Sequence, residues 1–394
     1  MTIFYAAVQF LFWFAYGTAV NFCSVYLLDR GLNNTAIGML SAAACALSVI
    51  LQPLLAAYAD QEKSLSIKAL LLALTALLAG FGLSLIPAYT GGAGINALLL
   101  GCAILIVQVA LPLVNALATE SINAGKKLNF SIARGFGSIG YAVMSFSVGR
   151  LTASRGAAAI PWILAAVSLG LLAVLALFPF QEKGLVRSTS RADARGGLAA
   201  FLRRYPSFGP LLAGCTLIYT SHVLINTFVF QIVTHKGGTS QHMGVVMGLA
   251  GLLEVLTMFF FSRLLRWRDC KFWFGVSGIF FTLKALGTLL AGTMGVLYAV
   301  QLLQPLGWGL MTVASVYYVN TLMAAQDKIK GQAYMTMTLS IGTIIGSLAG
   351  GWLIDHAGVN GMLMAAVACG AVGAWIVLQN LAAKGGKSHE NPAE

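Results

Sequence analysis

Charge is scarce in this chain: Asp, Glu, Lys and Arg together make up 9% of its 394 residues. A soluble domain carries about 25%, so a globular, water-wetted surface is excluded, and with it a soluble enzyme, a disordered chain and a nucleic-acid-binding domain. Acid is scarcest, with 12 Asp and Glu against 24 Lys and Arg. The six cysteines (Cys23, Cys45, Cys102, Cys215, Cys270 and Cys369) are scattered. They form no CxxC or Cys/His spacing, which excludes a disulfide scaffold and a metal centre and leaves small packing residues. The first apolar stretch starts at Thr2 with no basic segment before it and runs to about Leu28. That is too long for a signal core, and it is read as a first spanning helix. No nucleotide-binding loop or nucleophile constellation is found. The chain is therefore expected not to be an enzyme, to need no cofactor, and to draw its energy from an ion or solute gradient.

What is there is apolar: 58% of the residues, gathered into runs long enough to cross a bilayer. Cutting at polar and Gly/Pro/Asn breaks gives twelve segments, 3–28, 35–59, 66–87, 95–118, 129–153, 159–180, 207–233, 241–263, 272–293, 296–324, 331–354 and 358–382. An even number puts both termini on one side. All but six of the 24 Lys and Arg lie in loops or a tail on that side. Four lie opposite (Arg30, Arg150, Arg155, Lys236) and two fall inside segments (Arg134, Lys284). By the positive-inside rule both termini are cytoplasmic.

The longest polar stretch separates six segments from six. The expected organisation is a six-helix half over 1–180, a cytoplasmic linker over 181–206 with a short surface helix near Leu198–Arg204, a second six-helix half over 207–382, and a tail over 383–394. The halves echo each other. Arg30-Gly31 and Gly38 recur as Lys236-Gly237 and Gly244, an offset of 206. Ser138-Ile139-Gly140, Gly149 and Gly156 recur as Ser340-Ile341-Gly342, Gly351 and Gly358, an offset of 202. A parallel repeat of six spans is the organisation of a two-half carrier with its solute site near the midplane. The fold class is thus all-α membrane protein, in two six-helix halves.

Ionisable groups inside a bilayer are costly and mark solute or ion paths. Glu254 lies mid-segment in Leu252-Leu253-Glu254-Val255-Leu256, and Lys284 lies mid-segment in the next span. At about 1.5 Å per residue they sit roughly 14 and 18 Å from the basic loop between those spans. That depth suits a pair, either a proton-switched one or a static ion pair. Arg134 either snorkels to the cytoplasmic interface or turns inward as a multi-donor clamp for hydroxyls or carboxylates. Tyr141, seven residues on, shares its helix face. His222 and Asn226, with Tyr219, form a polar stripe, as do Gln301, Gln304 and Trp308. Gln108 and Asn115 form another. Each suits helix packing as well as solute contact. Asp60 ends the second segment, where it caps a neighbouring helix or is solvated.

These residues resemble the major facilitator superfamily, in the branch that contains lactose permease, nucleoside/proton symporters and the phenylpropionate permease. The stretch Arg134-Gly135-Phe136-Gly137-Ser138-Ile139-Gly140-Tyr141 is similar to that branch's Arg-x-aromatic-Gly motif. Phe14-Ala15-Tyr16-Gly17 and Pro112-Leu113-Val114-Asn115-Ala116-Leu117 are similar to its first and fourth helices, and His222 has a counterpart. The resemblance implies solute contact by Arg134 and Tyr141, and taken with the polar stripes it gives an expected solute-binding set of Arg134, Tyr141, Asn115, Tyr16, His222, Asn226, Gln301, Gln304 and Trp308. It implies Glu254 with Lys284 for proton coupling and Asp60 at a cytoplasmic gate. The chain departs from lactose permease at Asn115, where that carrier has an acid, and at Gln304, where it has a His followed by an acid one turn later. Here Gly307 and Trp308 follow instead, which leaves Glu254 as the proton carrier.

The expectation is a proton-coupled importer of a small hydroxylated solute, a sugar or oligosaccharide first, in a cell's inner membrane. Nothing requires more than a monomer, and no protein or nucleic-acid partner is called for. The alternatives are a nucleoside or aromatic-acid proton symporter, an efflux carrier for amphipathic compounds, and a non-transporting sensor.

Overall fold

A computed structural model describes residues 1–59, 61, 65–179 and 198–382. Every regular element among them is helical. Asp60, most of the expected linker and the tail lie outside the described residues.

Contacts divide the chain into two units. The first holds Met1–Ser190 and Thr227–Leu252, and the second Arg191–Asn226 and Leu253–Glu394. Helices α1 (Thr2–Asn21), α2 (Cys23–Asp29), α3 (Asn34–Ala59), α4 (Ile67–Ala88), α5 (Ala93–Asn123), α6 (Phe130–Arg155) and α7 (Ala159–Leu177) belong to the first. Helix α8 (Leu198–Arg204) is the surface helix that the linker's sequence suggests. Then follow α9 (Phe208–Thr227), α10 (Val229–His235), α11 (Ser240–Leu264), α12 (Cys270–Leu290), α13 (Met294–Val300), α14 (Leu310–Leu322) and α15 (Lys328–Ala382). Among the described residues nine helical stretches are long and apolar enough to cross a membrane. Helix α6 is 26 residues long, so length is not what keeps it out; Arg134 and Arg150 with four glycines dilute its apolar character.

The internal repeat has a backbone counterpart. Gly31 and Gly237 both adopt positive φ, 84° and 80°. Gly156 (φ 79°, ψ 176°) ends α6, and Gly358 (φ 72°, ψ 176°) divides α15 into two helices. A Cβ disfavours these conformations. The segment read as 3–28 is broken at Phe22 between α1 and α2, and the one read as 207–233 at Phe228 between α9 and α10, again 206 residues apart.

Packing repeats as well. In the first unit a Cβ on Gly140 of α6 would lie 2.4 Å from the Phe10 carbonyl oxygen of α1. In the second, a Cβ on Gly342 of α15 would lie 3.1 Å from the Thr216 carbonyl oxygen of α9. Each unit has its own apolar core. The first gathers Tyr5, Phe12, Leu71, Leu117 and Leu175, and the second Phe208, Phe274, Met311, Val319 and Val377.

Proline shapes two helices. Pro112 has no N–H for the Gln108 carbonyl, and the Gln52 amide donates to that oxygen instead (3.0 Å). Pro305 opens a π turn, Pro305–Gly309, directly after a 3-10 turn at Gln301–Leu303. The Thr257 hydroxyl donates to the Pro305 carbonyl (2.9 Å).

At the start of the second unit, α8 is fastened to the turn before α15. Asp327 accepts from Arg204 (2.8 Å) and from the Tyr205 hydroxyl (2.9 Å). The Tyr205 oxygen in turn accepts from the Ala324 amide (3.2 Å), and Phe201 packs edge-on against Tyr334. The Arg204 and Tyr205 hydrogen bonds hold the Asp327 carboxyl below its ordinary range.

Candidate functional site

The candidate residues fall into two groups, one in each unit. In the first, α6 carries Arg134 and Tyr141 on one face. The Arg134 guanidinium stacks over the indole of Trp13 on α1, 4.7 Å from the ring centroid. Gly137 makes this approach possible, since a Cβ there would lie 2.5 Å from the indole. The half-buried Tyr141 ring lies in a slot bordered by Gly17 and Gly251, and its hydroxyl accepts from the Asn21 amide (2.8 Å). Tyr16 packs against Trp13 at 5.2 Å. Arg134, Trp13 and Tyr16 are therefore contiguous, an aromatic surface with a fork of donors over it. Asn115 is exposed on α5, and the neighbouring Val114 carbonyl accepts from the Tyr5 hydroxyl (3.0 Å).

In the second unit, Gln304 stands at the seam between the 3-10 and π turns. Its buried amide oxygen accepts from Lys284 Nζ, and its Nε2 donates to Glu254 Oε1 at 2.5 Å. An amide has one acceptor end and one donor end, so this is the orientation that two opposite charges on its flanks impose. Lys284 is 4% exposed and Gln304 3%, while Glu254 is half-buried. The sequence suggests a pair between Glu254 and Lys284; the structure adds Gln304 as the bridge that joins them.

One turn along, Trp308 stacks on His222 with centroids 4.4 Å apart and planes at 16°. Phe281 and Tyr219 close the edges, at 5.3 Å from His222 and 5.9 Å from Trp308. The Asn226 amide nitrogen lies 3.0 Å from both His222 ring nitrogens and donates to its main-chain carbonyl. Gln301 diverges from this set. Its Nε2 donates to the Leu297 carbonyl of its own helix (3.0 Å), and it is 2% exposed. The Leu297 carbonyl one turn back takes up the Gln301 amide, so this side chain is spent on its own helix and not on the Gln304–Trp308 face.

Trp13, Gln9 and Phe281 carry part of this geometry and are not in the set read from the sequence. Tyr5, Gln9 and Trp13 recur every four residues with polar tips in an apolar run, and that spacing is the signal that marks them. Among the described residues no group of His, Cys, Asp or Glu is placed to hold a metal ion.

Comparison with known proteins places these groups in a family. Residues 2–364 match the MFS_1 like family. No curated protein matches the chain. Among solved structures, the nucleoside transporter NupG is similar with a TM-score of 0.80 at 17% identity, over 96% of this chain and 98% of that one. A peptide transporter, POT, in complex with alafosfalin gives 0.71 at 12%, over 96% and 94%. A bacterial homolog of the human lysosomal transporter Spinster gives 0.66 at 13%, over 99% and 98%. With its apolar helices and a family match that spans most of its length, the chain belongs to the MFS_1-like family and is a multi-pass membrane transporter.

Proposed function

We propose that the chain is a secondary active importer that couples proton entry to uptake of a small hydroxylated solute by alternating access, with sugars or oligosaccharides as the first class. In this reading twelve spans form two six-helix halves with both termini in the cytoplasm of an inner-membrane protein, acting as a monomer. The observation that carries the reading is the bridge from Lys284 through Gln304 to Glu254. An acid and a base buried in a bilayer and joined by one amide are costly to keep unless they do work. With Glu254 ionised, Gln304 is held between two charges. A proton on Glu254 removes one of them and gives the carboxyl a donor of its own, so the bridge loosens and Lys284 loses its counter-charge. Such a change is what a carrier needs to link protonation to movement. Arg134, Tyr141, Asn115 and Tyr16, and in the second unit His222, Asn226, Gln304 and Trp308, supply donors and ring faces to the solute, while Gln301, turned onto its own helix, does not. H⁺ is the coupling ion.

A second reading, a nucleoside symporter, is favoured by the near-parallel His222–Trp308 pair, whose flat face suits a planar base. An aromatic acid is the related case, and efflux of amphipathic compounds the opposite direction. Uptake of lactose and of uridine into vesicles holding the purified protein, with and without an inward proton gradient, tests the proposal. Wild type should concentrate one of them only with the gradient, and Glu254→Gln should exchange that solute without concentrating it. Concentration that survives both Glu254→Gln and collapse of the gradient refutes the coupling. Hypersensitivity of cells lacking the protein to toxic amphipaths would point to efflux.

A further inference from the structure

Arg134 is half-buried on α6, yet its guanidinium is aimed from α1. Three residues of α1, spaced by four and so on one face, form a ladder. The Trp13 Nε1–H donates to Gln9 Oε1 (3.1 Å), Gln9 Nε2 donates to the Tyr5 hydroxyl oxygen (2.6 Å), and that hydroxyl donates to the Val114 carbonyl of α5 (3.0 Å). Gln9 and Tyr5 are both 0% exposed. The ladder runs one way only. The phenol gives its single proton to a carbonyl, so it must accept from the amide nitrogen, and the amide oxygen is left to take the indole N–H. A buried chain in which each link fixes the donor or acceptor sense of the next has one low-energy arrangement, and that arrangement fixes the plane of the Trp13 ring. Gly137 lets the ring lie against α6, and Arg134 lies over its face. A cation over an indole face is attracted to the ring's quadrupole, and a planar guanidinium held this way carries its N–H donors along its edge.

We propose that Trp13 is a positioning residue for solute recognition: anchored through Gln9 and Tyr5 to α5, it holds the Arg134 guanidinium flat and directs its N–H edge to the solute. This rests on the reading above that Arg134 binds solute, but the positioning itself is tested without a solute. The rate at which phenylglyoxal modifies Arg134, followed by peptide mass mapping on the full chain in phosphatidylethanolamine/phosphatidylglycerol vesicles, reports how the guanidinium is held. Trp13→Leu should speed that modification about tenfold. Gln9→Leu, which keeps the ring and removes its anchor, should give a smaller rise. Trp13→Phe, which keeps a ring face, should stay within about threefold of wild type. Equal rates in wild type, Trp13→Leu and Gln9→Leu overturn the proposal, and the two milder variants keep the test alive if Trp13→Leu does not fold. For whichever of lactose and uridine the wild type moves, Trp13→Leu should raise half-saturation about tenfold, equivalent to about 1.4 kcal/mol, with the maximal rate retained. An unchanged half-saturation also overturns it. If wild type moves neither solute, the importer reading fails for those classes, and the modification rates still decide whether Trp13 aims Arg134.

Discussion

Removing the charge of Glu254 while keeping its shape isolates what the bridge holds together. In Glu254→Gln the Lys284 ammonium, 4% exposed and bonded to the Gln304 amide, loses its counter-charge. Two unit charges separated by one amide, roughly 6 Å, attract by about 3 kcal/mol at an effective dielectric of about 20. Breaking a buried pair by removing one partner typically costs about 3–5 kcal/mol, because a bare charge is left behind. The two figures agree, and Glu254→Gln should destabilise the protein by about 3 kcal/mol near neutral pH. Lys284→Met should cost less, since the remaining Glu254 is half-buried and can take up a proton to become neutral. The double variant carries no charge at either position and should recover most of the loss. Thermal unfolding followed with a thiol-reactive fluorophore suits this comparison, because Cys23, Cys45 and Cys215 are buried and react only on unfolding. If the double variant were as unstable as the sum of the single ones, the two residues would not be coupled and the bridge would be incidental.

Other outcomes follow from the packing and the surface. A Cβ at Gly140 would meet main-chain atoms of Phe10 at 2.4 and 2.9 Å, so Gly140→Ala should cost about 3 kcal/mol or more. Gly80 has open space around its missing Cβ, and Gly80→Ala in α4 should be neutral or gain up to about 1 kcal/mol; thermal unfolding of both variants gives the sign. The folded Asp327 carboxyl is held below its ordinary range. Its contribution is therefore complete above the pH where an unfolded carboxyl ionises, and it is lost as pH falls through the lowered value. Asp327→Asn should remove that acid dependence, read from protease cleavage near α8 across an acid titration. Tyr141→Phe should cost about 1 kcal/mol or less by removing the hydroxyl that accepts from Asn21. If the Tyr141 ring stacks on solute, Tyr141→Phe keeps uptake and Tyr141→Leu loses it.

Segmentation and internal symmetry were legible because they depend on local chemistry. The apolar runs end where loops and glycine corners end them, and the paired positions Gly31 with Gly237 and Gly156 with Gly358 take matching backbone conformations. Leu198–Arg204 was visible as a short helix with basic residues at its end. What escaped depends on contacts between helices or on departures from regular helix. A periodic reading puts Gln301 beside Gln304, but its amide folds back onto the Leu297 carbonyl of its own helix. Glu254 and Lys284 stood out as charges in apolar runs, while the amide that joins them looked like one polar residue among many. Trp13 was hidden for the same reason: its importance lies in what Gly137 allows α6 to bring against it.

The contacts of Gly140 with α1 and Gly342 with α9 have a consequence for anyone who surveys variants of this chain. In both cases the obstacle to a larger residue includes main chain, which no trimming of a neighbouring side chain can relieve. Second-site changes would therefore seldom rescue either position, and both should stay glycine whatever solute is carried. Their invariance across relatives would be uninformative about specificity. The informative variation should gather instead at positions such as Tyr16, His222 and Trp308, where side chain meets side chain and one can adjust to another.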